Sequence, residues 1–272
     1  MRFNDMVVAA ARRNHSLLCI GLDPEPARIP SRFAGEKDPV ATFCAAIIDA
    51  TADLVCAFKP NSAFFEALGP RGSETLQRVI ACVPDDIPVI LDAKRGDIGN
   101  TAAAYARAAF DELGAHAITL NPYLGGDALQ PFLDYADRGC ILLCKTSNPG
   151  SADLQDLLLA DGRPLYLEVA RRAQMDWNHN HNAALVVGAT FPAELRAVRA
   201  QCPDLPFLVP GIGAQGGDIA ATVAAALDAR GAGVIISASR SVLFASGGDD
   251  AAVAARREAR TLRDAINAAR DS

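Results

Sequence analysis

The segment PVILDAKRGDIGNTAAAYARAAFDELGAHAITLNPY (88–123) decides the fold. It opens on an apolar run, PVILDAK (88–94), passes through an alanine-rich stretch with helical spacing near 99–113, and ends on a second apolar, β-branched run, AITLNPY (117–123). Strands this apolar are buried on both faces, as in a parallel sheet covered by helices. Working outward, the same alternation fills the chain. Strand candidates LLCIGLD (17–23) and VCAFKPN (55–61) precede the segment, and CILLCKTS (140–147), ALVVGAT (184–190), PFLVPGIG (206–213) and GVIISAS (233–239) follow it. Further helical patterns fall near 40–54, 73–83, 126–137, 164–178, 192–201 and 217–229, with a last one near 251–269. Eight strand–helix units fit an α/β fold of the (β/α)8, or TIM, barrel type better than an open doubly wound sheet. No linker divides the chain, so residues 1–272 are expected to form a single barrel domain. The one long connection, NPGSADLQDLLLADGRP (148–164), reads as a loop on the active-site side.

Composition narrows the function classes. Half the residues are hydrophobic and the net charge is −6, from 26 basic and 32 acidic side chains. That balance argues against nucleic acid as the main partner, since phosphate backbones are bound through basic patches. It leaves room for one phosphorylated small molecule. No run approaches the about 18–20 apolar residues of a membrane span. The N-terminal MRFNDMVVAAARRNHS carries Asp5 early and Arg12-Arg13 where a cleavage region would lie, so an amphipathic helix is expected rather than a secretion signal. Seven cysteines, an odd number without a C-x-x-C pair, point to a reducing, cytoplasmic setting. Cys140 and Cys144 share one face of a strand and read as inert buried thiols.

In a barrel the chemistry sits at the C-terminal ends of the strands. Here those ends carry Asp23, Lys59 with Asn61, Asp92 with Lys94, Asn121, Thr146 with Ser147, and Arg240. Buried Lys and Asp are rare unless paired. Asp92 and Lys94 are two apart on a strand, so both side chains point to one face, and the neighbouring strand, about 4.8 Å away, can bring Lys59 beside them. Asp97 falls just past the strand end and would complete an alternating array of two ammonium and two carboxylate groups. Alternatives exist: Asp97 as the N-cap of a helix beginning near Ile98, and Lys94 snorkelling outward. After the seventh strand, VPGIGAQGGD (209–218) offers glycines and a helix N-terminus to an anion. With SASRS (237–241) it occupies the two loops where barrels commonly hold phosphate, and Arg240 would grip that group bidentately unless it is spent on a surface salt bridge. His179 and His181 in WNHNHN read as a solvated turn rather than a metal site, and Ser62 and Ser147 have no His-based triad.

At these residues the chain resembles the orotidine 5'-monophosphate decarboxylase family in its longer-chain bacterial branch. The resemblance runs through GLDP (21–24), FKPNSAFFE (58–66), LDAKRGDIGNTA (91–102), TSNPG (146–150), VPGIGAQGGD and SASRS. The D-x-K-x-x-D-I-x-x-T spacing marks the superfamily, and the lysine of FKPN sharpens it to the decarboxylase. One position departs from it: Ser239 stands where the family commonly has glycine. The resemblance implies that Lys94 protonates C6 of the pyrimidine, that Asp23 and Lys59 hold the ribose hydroxyls with Lys59 bridging to Asp92, and that Ser147 meets the base edge. It implies that Gln215 and Arg240 bind phosphate, that Pro210 lines the base pocket, and that Asp97, Ile98 and Thr101 cross a homodimer interface into the partner's site. It implies no metal and no organic cofactor. The nearest rival, a metal-dependent sugar-phosphate enzyme on the same barrel, needs an acidic residue where Lys59 stands. A Schiff-base role for Lys94 is disfavoured by flanking carboxylates that keep its ammonium protonated. A catalytically dead nucleotide-binding protein would have lost a member of the array, and none is lost.

Overall fold

A computed structural model describes residues 1–212 and 218–272. Eight parallel strands form one sheet: β1 (Leu18–Leu22), β2 (Ala57–Pro60), β3 (Ile90–Arg95), β4 (Ala117–Leu120), β5 (Gly139–Lys145), β6 (Ala183–Val187), β7 (Phe207–Pro210) and β8 (Val234–Ala238). Their order is β2-β1-β8-β7-β6-β5-β4-β3, and bridges Phe58↔Val89 and Asn61↔Asp92 bring the two ends together, so the sheet closes as a barrel. All eight strand candidates of the sequence are present, with ends displaced by at most three residues; each is shorter than expected, while β3, β5 and β6 each extend one residue beyond the expected range at one end.

Side-chain alternation along each strand separates two buried layers. Leu18, Ile20, Phe58, Leu91, Ile118, Cys140, Leu142 and Cys144 pack outward against the helices, which confirms the shared face expected for the two β5 cysteines. The inward set takes a residue from every strand: Cys19, Ala57, Ile90, Ala117, Ile141, Ala184, Leu208 and Ile235, with Phe3 among them. Phe3 comes from α1 (Phe3–Arg13), the amphipathic N-terminal helix, and a Cβ on Gly139 would overlap its ring. Two residues further along, the same inward parity reaches Gly21, Lys59, Asp92, Thr119 and Ser237. The apolar interior thus hands over to polar groups within one layer.

The surrounding helices follow the expected segments: α2 (Pro39–Thr51), α4 (Gly72–Ala81), α5 (Gly99–Arg107), α6 (Gly126–Leu133), α7 (Leu165–Met175), α8 (Pro192–Gln201), α9 (Ile219–Ala226) and α11 (Ala251–Arg270). Two short turns, α3 (Ser62–Glu66) and α10 (Arg240–Leu243), lie directly after β2 and β8 and carry no helical period long enough to be seen in the sequence. Caps explain several starts. Asp38 accepts from Ala41 N at 3.1 Å with Pro39 in the first turn, and Asn61 accepts from Ala63 N at 3.1 Å, which turns the chain sharply after β2. The expected helix over 99–113 ends as α5 at Arg107 and widens over Ala108–Glu112, where Phe110 is buried. No helix among the described residues is long and apolar enough to cross a membrane.

Candidate active site

The C-terminal mouth of the barrel collects the charged residues. Lys59 lies inside at 5% exposure, and its Nζ donates to Asp92 Oδ2 at 3.0 Å. Lys94 Nζ donates to the other oxygen, Oδ1, at 2.6 Å. Asp92, buried at 9%, therefore sits between two ammonium groups. Burial alone would raise its pKa, but Lys59 and then Lys94 outweigh burial and hold the carboxyl well below the usual range. Burial likewise pulls Lys59 down, and Asp92 followed by Asp23 reverses this, leaving its pKa above the ordinary lysine value. Both groups remain charged at neutral pH.

Lys94 reaches Asp92 by a route the sequence did not show. Its φ is +47°, in the left-handed region that non-glycine residues rarely enter, and the β3–β4 register shifts between Leu91 and Arg95. Such a conformation costs on the order of 1–3 kcal/mol and persists only where surrounding contacts impose it. Thr119 of β4, buried at 1% exposure, meets the chain at this turn. Its Oγ1 accepts from Ala93 N at 3.0 Å and Lys94 N at 2.9 Å, and donates to Asp92 Oδ1 at 2.9 Å. The twist lifts the Lys94 side chain to the mouth, where it is half exposed.

Around this array the expected residues fall as follows. Asp23, just past β1, is half-buried, and its Oδ1 is buried without a hydrogen-bond partner among the described residues. Ser147 follows β5 and packs so closely on Gly188 that a Cβ there would overlap it. Pro210 ends β7, half-buried, paired in register with Ser237. Ser239 sits at the start of α10, and its hydroxyl fills the space that a Cβ on Gly21 would need. The extra side chain at 239 is thus accommodated by the glycine of GLDP. Arg240 is exposed and has no ion-pair partner among the described residues. Gln215 lies outside the described residues.

Asp97, Ile98 and Thr101 stand apart from the array. Ile98 is 59% exposed, Thr101 is exposed, and Asp97 makes no ion pair with a described residue. Asp97 is not the cap of α5: that position belongs to Ile98, and Asp97 Oδ1 instead accepts from Ile98 N at 2.8 Å. The array within one chain is therefore Lys59–Asp92–Lys94, and the fourth member is not brought in.

Two buried polar groups at the mouth were not among the residues expected from the sequence. Thr119 stands one position before the end of an otherwise apolar strand, which was the available signal. Lys145, at 1% exposure, ends β5 and donates to Asp156 Oδ1 at 2.5 Å and Ser151 Oγ at 3.2 Å, anchoring the 148–164 loop beside Ser147. His179 lies 3.5 Å from Gln130 in an exposed turn, and no three metal-binding side chains converge among the described residues.

Comparison with known proteins bears directly on this geometry. Residues 16–257 match the orotidine 5'-phosphate decarboxylase / HUMPS family. The chain belongs to that family. It is 61% identical to an orotidine 5'-phosphate decarboxylase of Roseiflexus sp. (strain RS-1), across 99% of this chain and 98% of the relative. It is 52% identical to one from Ralstonia pickettii (strain 12J), across 98% of both. Among solved structures, the OMP decarboxylase of Leishmania donovani superposes with a TM-score of 0.88 at 46% identity, covering both chains fully. The Leishmania donovani structure shares the barrel over the full length of this chain, so the residues at its mouth belong to a decarboxylase scaffold.

Proposed function

We infer that this chain removes CO2 from orotidine 5'-phosphate to give UMP, a step of pyrimidine biosynthesis, without a metal or organic cofactor. The observation that carries the reading is the fixed Lys59–Asp92–Lys94 array at the barrel mouth. Loss of CO2 from C6 leaves an sp2 carbanion that the ring π-system cannot delocalise, and most decarboxylases meet that problem with a cofactor electron sink. A preorganised ammonium at the developing charge is the electrostatic alternative. In this reading Lys94, half exposed at the mouth, faces C6 and delivers the proton there. Asp92 lies by the substrate carboxylate; two carboxylates about 4 Å apart repel by roughly 4 kcal/mol at an effective dielectric near 20. That repulsion weakens as CO2 leaves, whereas the attraction between Lys94 and the carbanion grows. Of the two effects, stabilisation of the transition state by Lys94 contributes more.

The remaining roles follow the substrate outward. The unpartnered Oδ1 of Asp23 is an acceptor for a ribose hydroxyl, and Lys59 serves the other. Ser147 meets the base edge and Pro210 lines its pocket, while Gln215 and Arg240 take the phosphate, beside Ser239. Phosphate binding remote from C6 supplies the energy that orders the array. The half-buried Asp97 and the exposed Ile98 and Thr101 complete the site of a second subunit, so the working unit is a homodimer of single-domain barrels acting in the cytoplasm.

Two experiments test this. Chelated, exhaustively dialysed enzyme should form UMP from orotidylate at an undiminished rate; loss of activity restored by Mg2+ would favour the metal-dependent rival. For the dimer, inactive Lys59→Ala and Asp97→Asn chains are allowed to exchange subunits. Each mixed dimer would hold one site with both defects and one with neither, so about a quarter of all sites should recover. No recovery, with exchange confirmed independently, returns Asp97 to its own chain.

A further inference from the structure

We propose that Thr119 is the positioning residue of the decarboxylation: its hydroxyl sets the left-handed turn that aims Lys94 and fixes the oxygen of Asp92 that Lys94 grips. The proposal rests on the decarboxylase reading given above. A hydroxyl has one proton to donate and two lone pairs, and Thr119 uses all three toward one short segment of β3. It accepts from the N–H groups of Ala93 and Lys94 and donates to Asp92 Oδ1. No residue of β4 is registered opposite Asp92, Ala93 or Lys94, because the pairing of the two strands shifts between Leu91 and Arg95. Thr119 Oγ1 therefore stands in for the missing rungs of the ladder.

Three consequences follow from this placement. Without the hydroxyl, two adjacent part-buried N–H groups lose their acceptor, and β3 is driven back toward regular extended pairing with φ negative at residue 94. In that geometry the Lys94 side chain leaves from a different direction, and its ammonium no longer rests 2.6 Å from Asp92 Oδ1. Asp92 also loses one of the two donors on that oxygen and can rotate about its side-chain bonds, held only by Lys59 on Oδ2. Thr119 reaches the reacting atoms only through Asp92 and Lys94. Its loss should therefore slow the chemical step and spare binding, because the groups assigned to phosphate and ribose lie on other strands.

The test uses full-length enzyme and three variants. Thr119→Val keeps the shape and removes the hydroxyl; Thr119→Ala removes it in a smaller side chain, should the valine crowd the N–H groups and prevent folding. Thr119→Ser keeps the hydroxyl and removes the methyl. Misplacing a reacting group by about 1 Å costs on the order of 100-fold. The hydroxyl-free variants should lose kcat by about that factor, with calorimetric affinity for UMP held within about threefold, and the serine variant should recover kcat to within about fivefold. A folded hydroxyl-free variant with kcat within tenfold of wild type overturns the proposal. So does a serine variant as slow as the others, or a fall in UMP affinity that matches the fall in kcat. A wild-type enzyme that forms no UMP overturns the decarboxylase reading and this proposal with it, whereas the other results leave that reading standing.

Discussion

Replacing Asp92 by asparagine keeps the shape of the side chain and removes the charge that two ammonium groups share. Lys59 suffers most, because it is almost wholly inside the barrel and its only ion-pair partner among the described residues is Asp92. An uncompensated buried charge destabilises a fold by about 3–5 kcal/mol. In a chain of this size each kcal/mol lowers Tm by about 2–4 °C, so Asp92→Asn should melt about 6–20 °C below wild type. Lys59→Met should cost less, since Asp92 keeps Lys94 and Thr119. The double variant should be more stable than Asp92→Asn alone. The pH dependence gives an independent signature. In the wild type the pKa of Asp92 is lowered, so its contribution is present above the ordinary carboxylate range and is lost as pH falls through the folded value. That of Lys59 is raised, so its contribution is present below the ordinary lysine value and is lost as pH rises through the folded one. From about pH 5 to 9 the pair therefore adds a constant amount of stability. In Asp92→Asn the burial of Lys59 is opposed chiefly by Asp23, its pKa falls below the unfolded value, and stability should rise with pH toward 10. Urea unfolding at pH 7, 8.5 and 9.5 reads both effects. An Asp92→Asn protein within 1 kcal/mol of wild type at pH 7, or one whose stability does not rise with pH, refutes the description of Lys59 as a buried charge held by Asp92.

Two further perturbations probe neighbouring parts of the site. Gly21→Ala places a Cβ into the Ser239 hydroxyl, and overpacking of this kind costs about 1–3 kcal/mol. Activity and Tm should both fall, and Ser239→Gly in the same chain should restore them; failure of the second change to rescue the first separates the two residues. Asp156→Asn deprives the buried Lys145 of its carboxylate. Because Asp156 is 44% exposed, the expected loss is about 1–3 kcal/mol rather than that of a fully buried pair. Proteolysis within 148–164 should accelerate, and an unchanged cleavage rate would detach the loop from this anchor.

Residues whose position follows from the strand period were legible in the sequence, and residues whose position depends on a neighbour were not. Lys59 and Asp92 are two residues beyond inward-facing Ala57 and Ile90, so parity alone carries them to the mouth. The same parity applies to Lys94, and its pairing with Asp92 is as expected, but the strand does not continue straight. The turn at Lys94 meets a hydroxyl on β4, and no pattern within 88–101 contains that information. Lys145 looks like an ordinary strand-end lysine until the loop eleven residues on supplies Asp156. The expectation that Asp97 would complete the array remains a statement about two chains, since within one chain its carboxylate turns to its own neighbour's N–H.

The most direct measurement of the central claim is kcat for UMP formation by Lys94→Ala, with UMP affinity measured on the same preparation. Lys94 is half exposed and Asp92 keeps Lys59, so the variant should fold and bind UMP. General acid catalysis alone contributes about 10²–10⁴-fold, and removing the ammonium also removes its stabilisation of the carbanion, so kcat should fall by at least about 10²-fold. A folded Lys94→Ala enzyme that retains more than a tenth of wild-type kcat, a barrier change under about 1.4 kcal/mol, would contradict Lys94 as the proton donor at C6.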